Sequence, residues 1–225
     1  RCNAGSSEGS YGGCIGYSYR KTDELDRARE ESIIITDCTF EDGKGQNGVA
    51  LFLNMLTMNA NITNVKIMNH IETSYIFCIF FECESDNEIF TLKNAEFSRN
   101  QYNSNLHGDD CGGSGILISK SNTQDQFKSL TVQFEDCHFL NNHSPNNGGA
   151  IGYDSNNNLK TVDLIFNRCE FKNNTCAKSG GACHFATEKT IEIYNCNFDD
   201  NVCQGDADVS GGGAINLHSS IEMII

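Results

Sequence analysis

The sequence lacks a long apolar run, and its longest one, residues 75–81, is only the length of a β-strand. A membrane-spanning helix needs about 18 consecutive apolar residues, so we expect no membrane insertion. Basic residues are also scarce, with 16 Lys and Arg against 30 Asp and Glu and a formal net charge of −14. Nucleic acids and anionic lipids require clustered Lys and Arg, so the charge balance argues against both as partners.

Calcium-loop and zinc-ribbon patterns are missing as well. No acidic segment has the ligand spacing of an EF-hand, and none of the 12 cysteines is spaced Cys-x-x-Cys. We therefore predict no metal site and no cofactor, and we interpret the acidic surface as a source of solubility. A cytosolic protein rarely carries so many thiols, so the cysteines favour an oxidising compartment and several disulfides.

What the sequence does contain is an internal repeat. Phe-x-x-Asn occurs at 97–100, 139–142, 171–174 and 198–201, each followed by a Gly-Gly pair. A weaker copy begins at Phe40, and a degenerate copy places Ile71 at the Phe position. The equivalent positions, 40, 71, 97, 139, 171 and 198, are 31, 26, 42, 32 and 27 residues apart. Constant landmarks separated by loops of variable length are typical of stacked coils.

The repeats begin with alternating runs, such as Leu130, Val132 and Phe134 interleaved with Thr131 and Gln133. This alternation predicts half-buried strands, and the Gly, Asn and Asp segments between them predict turns. No helix longer than a turn or two is expected. The shorter units leave no room for the four strands of a propeller blade. The sequence therefore predicts an all-β solenoid of about six to seven coils, formed by residues 1–225 as a single domain.

Stacking places equivalent side chains about 4.8 Å apart, so the landmarks should form columns inside the coils. A Cys column at 38, 137, 169 and 196 would hold either bridges or buried thiols. The Gly pair suits a positive φ and close approach of coils, while the motif Asn suits a left-handed turn and bonds between stacked copies. The predicted core column consists of Phe40, Ile71, Phe97, Phe139, Phe171 and Phe198.

These motifs, together with Gly-Gly-Ala-Ile at 148–151 and 212–215, resemble the repeat of the polymorphic outer membrane protein family. Its members are large surface adhesins and autotransporter passengers best known from chlamydiae, and some protists have surface proteins with similar repeats. The resemblance implies a right-handed parallel β-helix of the pectin-lyase-like type, exposed on a cell surface and used for adhesion. The copy at Phe40 departs from the pattern by lacking its Asn, and the unit at Ile71 has neither motif.

An enzyme is the alternative, because β-helices also host polysaccharide lyases and glycoside hydrolases. Asp109-Asp110, close to His107, is similar to the paired carboxylates of the polygalacturonase-like hydrolases. The other motifs of those enzymes are missing, and the same Asp-Asp pair follows Phe198 as a turn. We therefore predict no catalytic residue, and we keep a carbohydrate-binding or polysaccharide-cleaving β-helix as the alternative.

Cysteines outside the column are candidates for disulfides. Cys176 and Cys203 each lie five residues after a landmark Phe, so stacking would bring them within bonding range. Weaker candidates are Cys83 with Cys111 and Cys2 with Cys14.

Three N-glycosylation sequons begin at Asn61, Asn142 and Asn173. Asn142 is also the Asn of a repeat motif and is followed by Ser144-Pro145, which argues against its use.

Both ends of the sequence break off within a repeat, which would leave strand edges open. We expect either a segment of a longer chain or a filament protomer that associates head to tail through the ends of the β-helix. The predicted function is that of an extracellular, cell-surface structural or adhesive protein. Its further partners would be glycans or a host or cell-surface ligand.

Overall fold

The structure is a computed structural model. It describes residues 14–18, 31–43, 50–55, 58–72, 79–83, 88–102, 114–120, 130–154, 162–186, 190–205, 211–217 and 223–224. All regular structure within these ranges is β-strand, and every strand pairs with its neighbours in parallel. The strands form four sheets, and successive strands of one sheet belong to successive coils.

Sheet 1 contains β2 (Glu31–Thr36), β5 (Met58–Thr63), β9 (Glu88–Lys93), β13 (Leu130–Glu135), β17 (Val162–Asn167), β21 (Ile191–Tyr194) and β25 (Met223–Ile224). Sheet 2 contains β3 (Thr39–Glu41), β6 (Lys66–Met68), β10 (Glu96–Ser98), β14 (His138–Leu140), β18 (Glu170–Lys172) and β22 (Asn197–Asp199).

Sheet 3 contains β7 (Ile71–Glu72), β11 (Gln101–Tyr102), β15 (His143–Ser144), β19 (Thr175–Cys176) and β23 (Val202–Cys203). Sheet 4 contains β1 (Ile15–Ser18), β4 (Leu51–Met55), β8 (Ile79–Cys83), β12 (Ile116–Lys120), β16 (Ile151–Asp154), β20 (Cys183–Ala186) and β24 (Ile215–Leu217). The predicted all-β solenoid is confirmed, and sheets 1 and 4 each have seven strands, in line with six to seven coils. The right-handed winding and the pectin-lyase-like type stay predictions.

Alternation along the sheet 1 strands directs apolar side chains into the coils. In β13 and β17, buried and half-buried residues alternate over all six positions. Since strand side chains point to opposite faces in turn, one face of each strand packs in the interior and the other faces outward.

An aromatic column runs through the interior of the coils. The rings of Phe97, Phe139, Phe171 and Phe198 stack with centroids 5.0, 4.8 and 4.6 Å apart and nearly parallel planes. The rings of Phe134 and Phe166 form a second stacked pair, with centroids 4.7 Å apart. This pair contacts the column edge-on, and the centroids of Phe134 and Phe139 are 6.0 Å apart. Both geometries are the favourable ones for aromatic pairs, so the column adds to the stabilisation from burial.

The predicted place of Ile71 in this column is wrong. Phe40 pairs with Ile67, and Ile67 pairs with Phe97, so Ile67 is the residue equivalent to the landmark Phe. Ile71 lies in β7 of sheet 3, opposite Gln101. The signal for Ile67 is the stretch Asn64-Val65-Lys66-Ile67, which has the same pattern as Asn94-Ala95-Glu96-Phe97 in the next unit.

Two corners of each coil are turned by residues in the left-handed conformation. The corner between sheets 1 and 2 has φ values of 49° to 55° at Asp37, Asn64, Asn94, Asp136, Arg168 and Asn195. The corner between sheets 2 and 3 has φ values of 51° to 58° at Asp42, Asn69, Arg99, Asn141, Asn173 and Asp200. Most of these are Asn or Asp, which tolerate this conformation best after Gly.

The Asn of the repeat motif is therefore not the left-handed residue that we predicted, because the turn lies one residue earlier. Its side chain instead lies inside the coil. Asn174 is fully buried; its Oδ1 accepts from the backbone N–H of Asn142 at 3.1 Å, and its Nδ2 donates to the carbonyl of Phe139 at 2.8 Å. In the same way, Nδ2 of Asn142 donates to the carbonyl of Phe97, and Nδ2 of Asn201 donates to the carbonyl of Phe171. The predicted bonds between stacked Asn copies are present, with Asn142 donating to Asn174 at 2.9 Å.

The Gly-Gly pair performs both functions that the sequence suggests. Gly148, Gly180 and Gly212 have φ values of 66°, 70° and 55°. A Cβ on Gly149 or Gly181 would collide with the backbone carbonyl of the equivalent glycine in the next coil. The second Gly of the pair thus sets how closely two coils approach at this edge.

Candidate functional site

A groove of the described surface lies along the corner between sheets 1 and 2. It encloses about 480 Å³ and crosses three coils, and its lining consists of Asn64, Val65, Lys66, Asn94, Ala95, Glu96, Asp136 and His138. The register of sheet 2 explains this set, because Lys66, Glu96 and His138 occupy equivalent positions in successive strands and face outward in a row.

Basic and acidic side chains alternate beside the groove. Lys66 Nζ lies 3.8 Å from Oε2 of Glu96. His138 Nδ1 lies 3.0 Å from Oε2 of Glu170 in the next coil. Arg168, one coil further along the corner, donates to Asp136 at 2.7 and 2.8 Å. These pairs are partly exposed, so each contributes little to stability, but together they fix a polar surface of defined shape.

Glu135 and Asp136 stay ionised because of their cationic neighbours. Hydrogen bonds from Lys93 and then Arg168 lower the pKa of Glu135, and the bonds from Arg168 lower the pKa of Asp136. The same carboxylates raise the pKa of the Arg168 guanidinium. Carboxylates whose pKa is lowered in this way are good hydrogen-bond acceptors and poor proton donors.

The residues proposed for hydrolase chemistry cannot be placed relative to this groove. His107, Asp109 and Asp110 all lie outside the described residues. Sequence reasoning missed the groove itself, since its members come from three coils and share no local motif. Within the described ranges, no group of three or more His, Cys, Asp or Glu side chains is arranged to hold a metal ion.

The interior Cys column consists of free cysteines. Cys137, Cys169 and Cys196 follow one another in the stack, and a hydrogen bond with Cys137 is the main reason why the pKa of Cys169 rises to about 12. Contact with Cys169 likewise raises the pKa of Cys196, and full burial raises that of Cys183. Free buried cysteines behave as small apolar residues, and the column lies in or against the hydrophobic core, so it contributes to core packing.

The predicted bridge between Cys176 and Cys203 is not formed, although these residues lie directly opposite each other in β19 and β23. Cys203 instead donates its thiol to the carbonyl of Lys178 at 2.6 Å, and burial raises the pKa of Cys176 to about 12. In-register parallel strands hold equivalent Cβ atoms about 4.8 Å apart, slightly beyond the usual range for a disulfide. Of the other candidates, Cys2 and Cys111 lie outside the described residues, and their partners Cys14 and Cys83 lie at the start of β1 and the end of β8.

The three sequons have different surroundings. Asn61 in β5 and Asn173 at a corner are exposed, whereas Asn142 is 1% exposed. Both hydrogens of the Asn142 amide are used inside the coil, in bonds to Phe97 and Asn174. In the folded protein the Asn142 amide is therefore buried and bonded, unlike the exposed Asn61 and Asn173.

One end of the described stack leaves its interior partly open. A cavity of about 340 Å³ is lined there by Ile193, Tyr194, Asn195, Cys196, Phe198 and Ile215. Phe198 and Ile215 are half-buried, while their equivalents one coil earlier, Phe171 and Cys183, are buried. β25 already pairs with β21 beyond this end, so sheet 1 extends one strand further than sheets 2, 3 and 4 there.

Two of these coils match a family model. The model describes the Chlamydia polymorphic membrane protein repeat, and it matches residues 136–152 and 168–186. The matched segments run from the corner before β14 to β16 and from the corner before β18 to β20, so they include two Phe-x-x-Asn and Gly-Gly landmarks. The predicted resemblance is thus confirmed at the level of the repeat. No curated protein and no solved structure matches the chain. In the part of the chain that the structure describes, we find no helix with the length and apolarity needed to span a membrane.

Proposed function

We propose that this chain is an extracellular, cell-surface β-helix with a structural or adhesive role. The observation that carries the proposal is the match of two coils to a membrane-protein repeat, in a stack whose Phe and Asn columns continue through both matched coils. Interior columns of this kind make each coil support the next, which suits a stiff spacer that presents its outer faces to a partner.

Surface location is tested on intact cells of the native source. Antibodies raised against the chain should label unpermeabilised cells, and an external protease should remove that label. Labelling that appears only after permeabilisation would contradict the proposal. Adhesion is tested separately with beads coated with the purified chain, which should bind the cognate cell surface more than beads coated with an unrelated acidic protein.

Head-to-tail association belongs to the same proposal. The half-buried Phe198 and Ile215 at the open end favour it, since a further coil would bury them as Phe171 and Cys183 are buried. The occupant that we propose is the first coil of a second copy, which would add strands to sheets 2, 3 and 4. An open heterologous contact of this kind extends into a filament.

Carbohydrate binding is the second candidate, and the corner groove is the observation that favours it. Glu96, Asp136 and His138 line this groove of about 480 Å³ with hydrogen-bonding groups. Such a lining suits a carbohydrate chain, which is rich in hydroxyl groups. A glycan array should then show binding that the double variant Glu96→Gln/Asp136→Asn loses. Release of reducing ends from a bound polysaccharide would turn this candidate into the enzyme alternative, and an array without any signal would contradict both.

A further inference from the structure

We propose that Asn61 and Asn173 carry N-linked oligosaccharides and that Asn142, which lies in a sequon as well, does not. The donor is an oligosaccharide linked to a lipid pyrophosphate. A bond forms between the asparagine Nδ2 and the anomeric carbon, the bond from that carbon to the pyrophosphate oxygen breaks, and Nδ2 loses one proton as the lipid pyrophosphate leaves. This inference rests on the extracellular location proposed above.

Asn142 is unsuited to glycosylation because both hydrogens of its side-chain amide form hydrogen bonds in the folded protein. Its Nδ2 donates to the carbonyl of Phe97 and to Oδ1 of Asn174, both at 2.9 Å, and its side chain is buried. A glycosylated amide keeps a single hydrogen, and the coil interior has no room for a sugar next to the Phe column. A chain glycosylated there before folding is therefore unable to close this coil.

Asn173 differs from Asn142 by a shift of one residue. Its sequon begins two residues after the landmark Phe171, whereas the sequon of Asn142 begins three residues after Phe139. The shift places Asn173 at the exposed left-handed corner, with a φ of 54°. Its Nδ2 donates to Oδ1 of Asn141 at 3.3 Å, and this bond needs one hydrogen only, so it survives glycosylation.

Asn61 lies on the outer face of sheet 1 and is exposed. The sequon hydroxyl of Thr63 lies on the same face and donates to Oδ1 of Asn61 at 2.9 Å. On the neighbouring strand, the residue paired with Asn61 is Ile34, an isoleucine that is 70% exposed. The apolar face of a sugar ring attached to Asn61 would cover it, which is an independent reason to place a glycan here.

The test is site-specific occupancy in the folded, secreted chain, both from the native source and from a eukaryotic secretory host. Enzymatic release of N-glycans in heavy-oxygen water converts an occupied Asn into labelled Asp, which mass spectrometry locates. We expect label at Asn61 and Asn173 and none at Asn142. Single variants Asn61→Gln and Asn173→Gln should each remove one of two equal steps in the electrophoretic shift. Label at Asn142, or its absence from Asn61 and Asn173, would overturn the proposal.

A register-shifted sequon provides the matched control. The substitution His143→Thr creates a sequon at Asn141, which occupies the corner equivalent to Asn173 and is exposed, with a φ of 57°. We expect a third glycan at Asn141 and still none at Asn142. If the variant is not secreted, occupancy in the unaltered chain decides the question. A chain that labels on intact cells but lacks glycans would refute this inference and leave the proposed surface function standing.

Discussion

Single buried side chains hold neighbouring coils together, and Asn174 is the clearest case. In the preceding coil, its Oδ1 accepts from the backbone N–H of Asn142 and its Nδ2 donates to the carbonyl of Phe139. Its own backbone N–H donates to Oδ1 of Asn201 in the following coil at 3.0 Å. Each bond satisfies a backbone or amide group that has no access to water. The cost of leaving such groups unpaired makes this position more important than its small size suggests.

We predict that Asn174→Ala lowers the free energy of unfolding by about 2 to 4 kcal/mol, because it leaves the Asn142 N–H and the Phe139 carbonyl unpaired. The matched control is Asn173→Gly at the adjacent exposed corner, where Gly tolerates the positive φ and the change should be within about 0.5 kcal/mol. Urea unfolding of chains produced without glycans measures both. Equal effects of the two substitutions would contradict the role given to Asn174.

His70 occupies the Asn position in the coil that lacks the motif. It is 1% exposed, its Nδ1 accepts from the backbone N–H of Gly43 at 2.9 Å, and its Nε2 has no hydrogen-bond partner in the described part of the chain. Burial lowers the pKa of His70 below its usual 6.5, although the nearby carboxylates of Asp42 and Glu41 act in the opposite direction. On the next coil, the Arg99 guanidinium donates to Oδ1 of Asn69, the residue that precedes His70, at 2.7 Å.

The sign of the resulting pH dependence follows from this direction. Well above about pH 6.5, His70 is neutral in both the folded and the unfolded chain, so it does not make the free energy of unfolding depend on pH. As the pH falls below about 6.5, the unfolded chain binds the proton more readily than the folded chain, so the free energy of unfolding falls. It levels off once the pH is below the pKa that His70 has in the folded chain. Urea midpoints at about pH 7.5 and about pH 5 should show this fall. His70→Asn should make it smaller, while the exposed control His138→Asn should retain it. An identical fall in the His70→Asn variant would count against this explanation.

At the scale of the coil, backbone contact at the Gly-Gly edge sets how tightly two coils pack. A Cβ on Gly181 would meet backbone atoms of Val202 and Gly213 at less than 3 Å, whereas a Cβ on Gly213 would meet its nearest atom, the Asn201 carbonyl oxygen, at 3.9 Å. The two glycines have the same place in the motif, so they form a matched pair of sites.

We predict that Gly181→Ala destabilises the chain by about 3 kcal/mol, since rigid backbone rather than a flexible side chain blocks the added methyl group. Gly213→Ala should change stability by no more than about 0.5 kcal/mol. Thermal and urea unfolding of both variants provide the comparison. A tolerated Gly181→Ala would mean that the coils are further apart than the structure places them.

The repeat motifs were sufficient to predict the coils. The Phe of Phe-x-x-Asn fills the interior of a coil and the Gly-Gly pair forms a turn, so both motifs recur from coil to coil. They failed at Ile71, where both motifs are lost and only the stretch Asn64-Val65-Lys66-Ile67, similar to Asn94-Ala95-Glu96-Phe97, marks the correct position. They also misassigned the left-handed residue, since Asn is suited both to that conformation and to a buried hydrogen-bond ladder. The corner groove was beyond prediction, because Lys66, Glu96 and His138 become neighbours only through the register of sheet 2.

At the scale of the whole molecule, the proposed head-to-tail association depends on the end of the described stack where Phe198 and Ile215 are half-buried. Ile215 lines the 340 Å³ cavity at this end, while Val202 at the same end is 47% exposed and occupies an outward-facing position equivalent to Thr175. A charge that points into the end of a solenoid blocks the addition of strands, whereas a charge on the outer face does not.

We predict that Ile215→Lys abolishes concentration-dependent self-association and that Val202→Lys leaves it unchanged. Size-exclusion chromatography with light scattering, over a range of concentrations, measures the mass of each variant. The unaltered chain should show species larger than a monomer that dissociate on dilution. A mass that stays at one chain under all conditions would contradict head-to-tail association and leave the fold unaffected.

The central claim is that successive coils stack with their landmark side chains in register. A crystal structure of the chain tests it most directly. The rings of Phe97, Phe139, Phe171 and Phe198 should lie in one column with centroids 4.6 to 5.0 Å apart. Asn142 and Asn174 should also be buried and bonded to each other. Electron density that places these four rings in separate parts of the molecule would contradict the claim and everything derived from it.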